Sequence, residues 1–227
     1  ICVSICEFFL KDLSLLKGKN KDDLCISYTP LKKTFVHNAS LMGAEFIARV
    51  GNEVGKSSYI NISKRVANYS INQQHSNGAF SYFGNEDSSI KRSRPNIMTI
   101  FDHYHTGFIV RSLLLLGTYL NDPKIKSSAN KVAKFYISSF FDSRGLPKIL
   151  PDRRYPVNIH SCSESILCLS SIQEHLPEYS KQVDSLLPLN IRWILKNMWV
   201  PKKNFFGYMK TRTGLVKIPF IRRNQAW

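Results

Sequence analysis

Apolar residues along this chain fall into two kinds of run. In the first they are nearly continuous: Leu41–Val50, Phe108–Leu120 and Ile166–Leu176 hold few charges, and Arg111 is the only one inside the second. Runs of this length and composition predict helices buried on most faces. In the second kind, apolar positions recur with the period of one helix face. Ile62, Val66 and Tyr69 oppose Lys64, Arg65 and Asn68. Ala129, Val132, Ala133, Tyr136, Ile137 and Phe140 oppose Lys131 and Lys134, and Leu187, Ile191, Ile194, Leu195 and Met198 share a side of 184–199. These predict half-buried amphipathic helices over 60–72, 127–141 and 184–199. A first helix is expected over 1–16, stopped at Lys17-Gly18-Lys19-Asn20, and an extended loop over 24–33.

The two kinds alternate, and the order repeats roughly every 60 residues, the signature of stacked helical hairpins. A histidine with a small polar neighbour opens each buried helix: His37-Asn38, the Asp102-His103-Tyr104-His105-Thr106 cluster, and His160-Ser161. Arg222-Arg223-Asn224 has the look of a fourth opening, and His37, His105 and His160 are taken as equivalent. Turns rich in Gly and aromatics, 77–82 and 203–208, sit between the helices. Buried helices inside and amphipathic ones outside make an all-α fold, a partial (α/α) toroid of repeated helical hairpins. The inner helices then start at one mouth and their opening residues converge on one funnel. An open α-solenoid is the alternative. No linker interrupts the pattern, so residues 1–227 are read as a single toroid domain, roughly half of a closed ring and a fragment cut at both ends.

Charge changes this picture. The 227 residues carry 32 Lys plus Arg against 16 Asp plus Glu, a net charge of +16, which suits a polyanionic partner. The cations are dispersed except at Lys91-Arg92-Ser93-Arg94 and Arg222-Arg223, and the aromatics follow the hairpin repeat rather than these clusters, so no nucleic acid is expected. Five cysteines form no framework, and most read as small buried hydrophobes, which fits a reducing compartment. No run is long enough to span a membrane, and a cytoplasmic location is expected.

The chemistry-bearing residues gather at the helix openings. Asp102 is the candidate general acid or base, or else a helix N-cap. His105 and His160 are candidate proton shuttles, and His37, Asn38 and His103 candidate donors to substrate. His103 and His105 are two apart and do not share a helix face, so no metal site is expected, nor any cofactor. Arg222 and Arg223 could clamp a carboxylate bidentately. Asp152, Arg154 and Tyr155 lie in a loop able to cover the funnel.

Three segments carry a resemblance: Asp102-x-x-His105-Thr106-Gly107-Phe108, Tyr155-Pro156-Val157-x-Ile159-His160-Ser161, and Ile218-Pro219-Phe220-x-Arg222-x-x-Gln225-Ala226-Trp227. Together they resemble motifs of bacterial α/α-toroid polysaccharide-biosynthesis proteins, similar in fold to the six-hairpin glycosidases that include unsaturated glucuronyl hydrolases. The resemblance adds Gln225 and Trp227 to the substrate-binding set. It would place Asp where Asn158 stands, and a small residue or Gln near Glu164. It implies a carbohydrate-active protein of cell-surface or exopolysaccharide biosynthesis or processing, a hydrolase, lyase or epimerase on acidic polysaccharide or oligosaccharide. The alternatives are a non-catalytic glycan-binding or scaffold module and a helical-repeat interaction protein.

Overall fold

The computed structural model describes residues 1–87 and 101–216. The Lys91–Arg94 cluster and Arg222, Arg223, Gln225 and Trp227 lie outside the described residues. The chain divides into two compact units, residues 1–101 with 108–136, and residues 102–107 with 137 onward.

Six long helices follow one another in pairs. They are α2 (His37–Glu53) with α3 (Ser57–Ile71), α4 (His103–Tyr119) with α5 (Pro123–Ser139), and α6 (Ile159–His175) with α7 (Ser180–Met198). In each pair the first helix buries more of its length than the second, as its continuous apolar composition requires. α5 opens with local chemistry. Asp122 accepts from the backbone N–H of Lys124 at 2.9 Å, and Pro123 sits at the first helical position, where its missing N–H costs nothing. The expected start at 127 was therefore a turn late.

A short α1 (Cys2–Glu7) continues as a single π-turn over Phe8–Asp12. The helix expected through residue 16 is cut at Ser14, whose φ of 68° is left-handed. Beyond it β1 (Leu15–Lys17) pairs antiparallel with β2 (Leu24–Ile26), where a loop was expected. Leu16 and Cys25 bury there against Tyr69, and this burial overrides the weak local strand signal. The other strands are two residues each: β3 (Val157–Asn158), β4 (Trp199–Val200), β5 (Phe205–Phe206), β6 (Met209–Lys210) and β7 (Leu215–Val216), ordered β3-β6-β7 and β4-β5.

The internal repeat is concrete at the backbone. The N–H of the first helical residue donates to a carbonyl of the loop that closes the same helix pair: His37 to Tyr82 at 3.2 Å, His103 to Ile149 at 3.0 Å, and Ile159 to Tyr208 at 3.0 Å. Four residues before each carbonyl stands a left-handed residue: Gly78 with φ 91°, Gly145 with φ 78° and Asn204 with φ 52°. Each of these donates its N–H three residues back, to His75, Asp142 and Pro201. Asn204, rather than Gly207, is thus the counterpart of Gly78.

Side chains pin these turns. Gln74 donates to the carbonyl of Gly78 at 3.0 Å. Asn190, fully buried on α7, donates to the carbonyl of Gly145 at 2.9 Å and accepts from Ser165 Oγ on α6 at 2.8 Å. The core of the second unit gathers Leu146, Val157, Cys162, Trp193, Ile194 and Met198. On α7 the sequence put Leu187, Ile191, Ile194, Leu195 and Met198 on one side. The structure buries Ile194 and Met198 of these, together with Val183, Asn190 and Trp193, and leaves Leu195 exposed, because Asn190 must reach the Gly145 turn.

Glycine is needed at position 78. A Cβ there would run into the Lys131 carbonyl, and the positive φ adds strain. Gly78→Ala should therefore cost at least about 2 kcal/mol in urea unfolding. Asn204→Gly, which keeps a left-handed residue and removes a Cβ, should stay within about 1 kcal/mol of wild type.

Candidate active site

In the second unit the start of α4 and the start of α6 supply the chemistry. Asp102 is the N-cap of α4: its Oδ1 accepts the backbone N–H of His105 at 3.0 Å. Its Oδ2 accepts from His105 Nδ1 at 2.7 Å. One carboxylate therefore both closes the helix and braces the imidazole. A carboxylate can only accept, so Nδ1 carries the proton in neutral His105, and Nε2 keeps the lone pair of a base. Both side chains remain partly open, 17% for Asp102 and 22% for His105. Asn158 caps α6 in the same way, its Oδ1 accepting the N–H of Ser161 at 2.7 Å. The amide found where the resemblance implies an acid is thus a working N-cap.

The rings assemble around this cap. Tyr104 lies 4.1 Å from the His105 ring and 5.9 Å from the His160 ring, centroid to centroid. Burial pushes the His160 imidazole down, and the charge of His105 lowers it further. His160 is thus held toward its neutral form.

The three histidines taken as equivalent are not. His37 is the first residue of α2, His160 the second of α6 and His105 the third of α4. The residue in register with His37 is His103. Both are fully buried, with burial pushing their imidazoles down to about 4. His37 meets Ser70 Oγ at 3.0 Å through Nδ1 and stacks on Tyr69. His103 donates from Nδ1 to the Lys148 carbonyl at 2.8 Å and lies between Phe140 and Phe141. These contacts make His37 and His103 internal braces of the fold. Asn38 is buried, and its Oδ1 has no hydrogen-bond partner among the described residues.

The loop before α6 gives less. Asp152 is exposed, Arg154 pairs with Asp142 at 3.4 Å, and Tyr155 packs on the core of the second unit. Arg222, Arg223, Gln225 and Trp227 are outside the described residues. Among the described residues no group of three His, Cys, Asp or Glu is placed to hold a metal ion. None of the described helices is long and apolar enough to cross a membrane.

One buried carboxylate was not among the expected site residues. Glu164 on α6 is 3% exposed and sits against Gly107 of α4, where any Cβ would run into its Cγ. It stands one turn below His160 on the same helix face. A carboxylate in an apolar helix, four positions after a candidate histidine, was the signal available.

No protein-family model matches the sequence, and no curated protein does. Solved structures do. An unsaturated glucuronyl hydrolase from Bacillus sp. GL1, responsible for the degradation of glycosaminoglycan, aligns with a TM-score of 0.63 at 11% identity, over 95% of this chain and 61% of its own. A variant of UGL with dGlcA-Glc-Rha-Glc gives 0.65 at 10% identity over 95% and 61%. The GH76 α-mannanase of Bacteroides thetaiotaomicron gives 0.63 at 12% identity over 96% and 59%. The fold is the α/α toroid that these structures share. The chain spans about three-fifths of the length of these structures.

The two buried histidines give a pH signature. Unfolded, each takes up a proton near 6.5; folded, each stays neutral down to about 4. The unfolded chain binds more protons between these values, so stability is full above 6.5 and falls as the pH drops through this window. The loss is at most about 3 kcal/mol per histidine. Urea unfolding at pH 7 and pH 4.5 should show the fall, and His103→Gln should remove roughly half of it. Equal falls in both proteins would place the lost stability elsewhere.

Proposed function

We propose that this protein is a carbohydrate-active toroid protein of cell-surface or exopolysaccharide metabolism, processing an acidic glycan through His105, Asp102 and His160. The observation that carries the reading is the 2.7 Å bond from His105 Nδ1 to Asp102 Oδ2, made by a carboxylate whose other oxygen is held by the helix it caps. Asp102 fixes the tautomer, His105 Nε2 takes a proton from the sugar, and His160 returns one. Of the three reaction types a toroid of this kind could perform, this arrangement suits a lyase or epimerase best. Both abstract a proton beside a sugar carboxylate, and an imidazole base does that work near neutral pH. Hydrolysis needs two carboxyls flanking the bond, one of them free to donate. Asp102 has both oxygens engaged and Asn158 is an amide. The fold neighbours named for glucuronyl and glycosaminoglycan substrates, and the net charge of +16, support an acidic substrate.

A second reading is a non-catalytic glycan-binding module. The adjoining rings of Tyr104, His105 and His160 favour it, since aromatic faces suit the C–H faces of sugars.

The test is the release of unsaturated ends, or exchange of the sugar C–H with deuterated solvent, from acidic oligosaccharides. Asp102→Asn keeps the cap, as Asn158 does for α6, so the melting temperature should hold within a few degrees. Turnover should fall by about 10²–10⁴-fold, and His105→Gln should fall as far. Wild-type turnover in Asp102→Asn would leave Asp102 as a cap alone. Binding of the glycan by the wild type with no turnover would decide for the second reading.

A further inference from the structure

The second helices of the three pairs differ on their exposed faces. α3 exposes Asn61 and Lys64, and α5 exposes Lys124, Lys131 and Lys134. Neither exposes a large apolar side chain. α7 does: Leu189 is 37% exposed, Leu195 is 51% exposed, and Pro188 is exposed beside them. Leu187, Pro188, Ile191 and Leu195 line a shallow groove along this helix, with Arg192 and Lys196 as its polar members. Equivalent helices of one repeat thus present a polar surface twice and an apolar one here.

Asp184, near the start of the same helix, accepts from Gln173, and beyond it the charge has one sign. Between Ser185 and Val216 the chain contains Arg192, Lys196, Lys202, Lys203, Lys210 and Arg212 and no Asp or Glu. The β4-β5 hairpin follows α7 directly. It holds Phe206, 42% exposed, against the ring of Trp199 at 4.9 Å, with exposed Lys202 and Lys203 at its turn.

We infer that the exposed face of α7 docks on an anionic lipid surface, with Pro188 and Leu195 entering the headgroup boundary and Arg192 and Lys196 meeting lipid phosphates and carboxylates. An aliphatic stripe beside cations is what such a surface rewards, since it offers an apolar phase and negative charge together. An acidic polysaccharide would neutralise the cations and leave the leucines wet. A second copy is the rival occupant, since an isologous contact along α7 would cover the leucines and could bring Asp184 of one copy to Arg192 of the other; the test separates it from lipid binding. This inference does not rest on the glycan reading.

Vesicle co-sedimentation tests it. The 227-residue chain should sediment with phosphatidylcholine vesicles containing about one-third phosphatidylserine and stay in solution with phosphatidylcholine alone. Replacing both cations, as Arg192→Gln with Lys196→Gln, should weaken binding roughly 30-fold at physiological salt. Leu195→Asp should abolish it. Leu195→Ser, which adds no charge, should weaken it several-fold with an unchanged circular-dichroism melt, and so decides the matter if the Asp variant fails to fold. Three results would overturn the inference: no sedimentation with anionic vesicles, sedimentation indifferent to both Leu195 variants, or a concentration-dependent dimer that Leu195→Ser dissociates.

Discussion

The structure depends on how three helix N-termini are closed. A helix leaves its first N–H groups without internal partners, and buried ones must be satisfied elsewhere. Here the first N–H of α2, α4 and α6 goes to a carbonyl that arrives after the second helix of the same pair. Each bond closes a hairpin into a unit about the length of the repeat. It also fixes where the following residues of the opening fall, because a helix turn rotates each position by a set angle. The left-handed turn four residues before each carbonyl aims it, which is why Gly78, Gly145 and Asn204 stand where they do.

Side-chain caps are layered on this backbone closure, and they differ among the three openings. α4 and α6 add Asp102 and Asn158, while α2 begins at Val36 with no side-chain cap. A negative cap is favoured at the positive end of a helix dipole, so Asp102 gains from a position that Asn158 uses as a neutral group. The other oxygen of the same carboxylate holds His105 Nδ1. Fold and chemistry thus draw on one carboxylate, and they use different oxygens of it.

Much of the architecture was legible because burial and period are local properties. The continuous run Phe108–Leu120 could only be a deeply buried helix, and the Lys-flanked pattern around Ala129 and Val132 only an amphipathic one. Asp102 and His105 were legible as a pair because an N-cap and its third residue are adjacent in any helix. The register of the repeat was not legible. Matching histidine to histidine aligned His37 with His105, whereas the N1 bond aligns it with His103. The carbonyl partners Tyr82, Ile149 and Tyr208 lie far along the chain, and nothing in their residue types marks them. The burial of Asn190 over Leu195 failed to show for the same reason: a polar group goes inside when a distant turn needs its hydrogen bonds.

That last substitution links core to surface. Once Asn190 must face the Gly145 carbonyl and Ser165, the helix can no longer turn Ile191 and Leu195 inward, since they lie more than about a quarter of a turn away. Trp193, Ile194 and Met198 fill the core in their place. The apolar groove on α7 is then the outward remainder of a helix with more hydrophobic faces than its core can take. α3 and α5 carry no such surplus: past Pro123, their exposed positions are Lys, Asn and Ser. The absence of any acid after Asp184 means that no side chain of α7 beyond that point can neutralise Arg192 or Lys196. A surplus of apolar surface and an uncompensated pair of cations on one helix face is costly to leave in water and is matched by a surface that is both apolar and anionic.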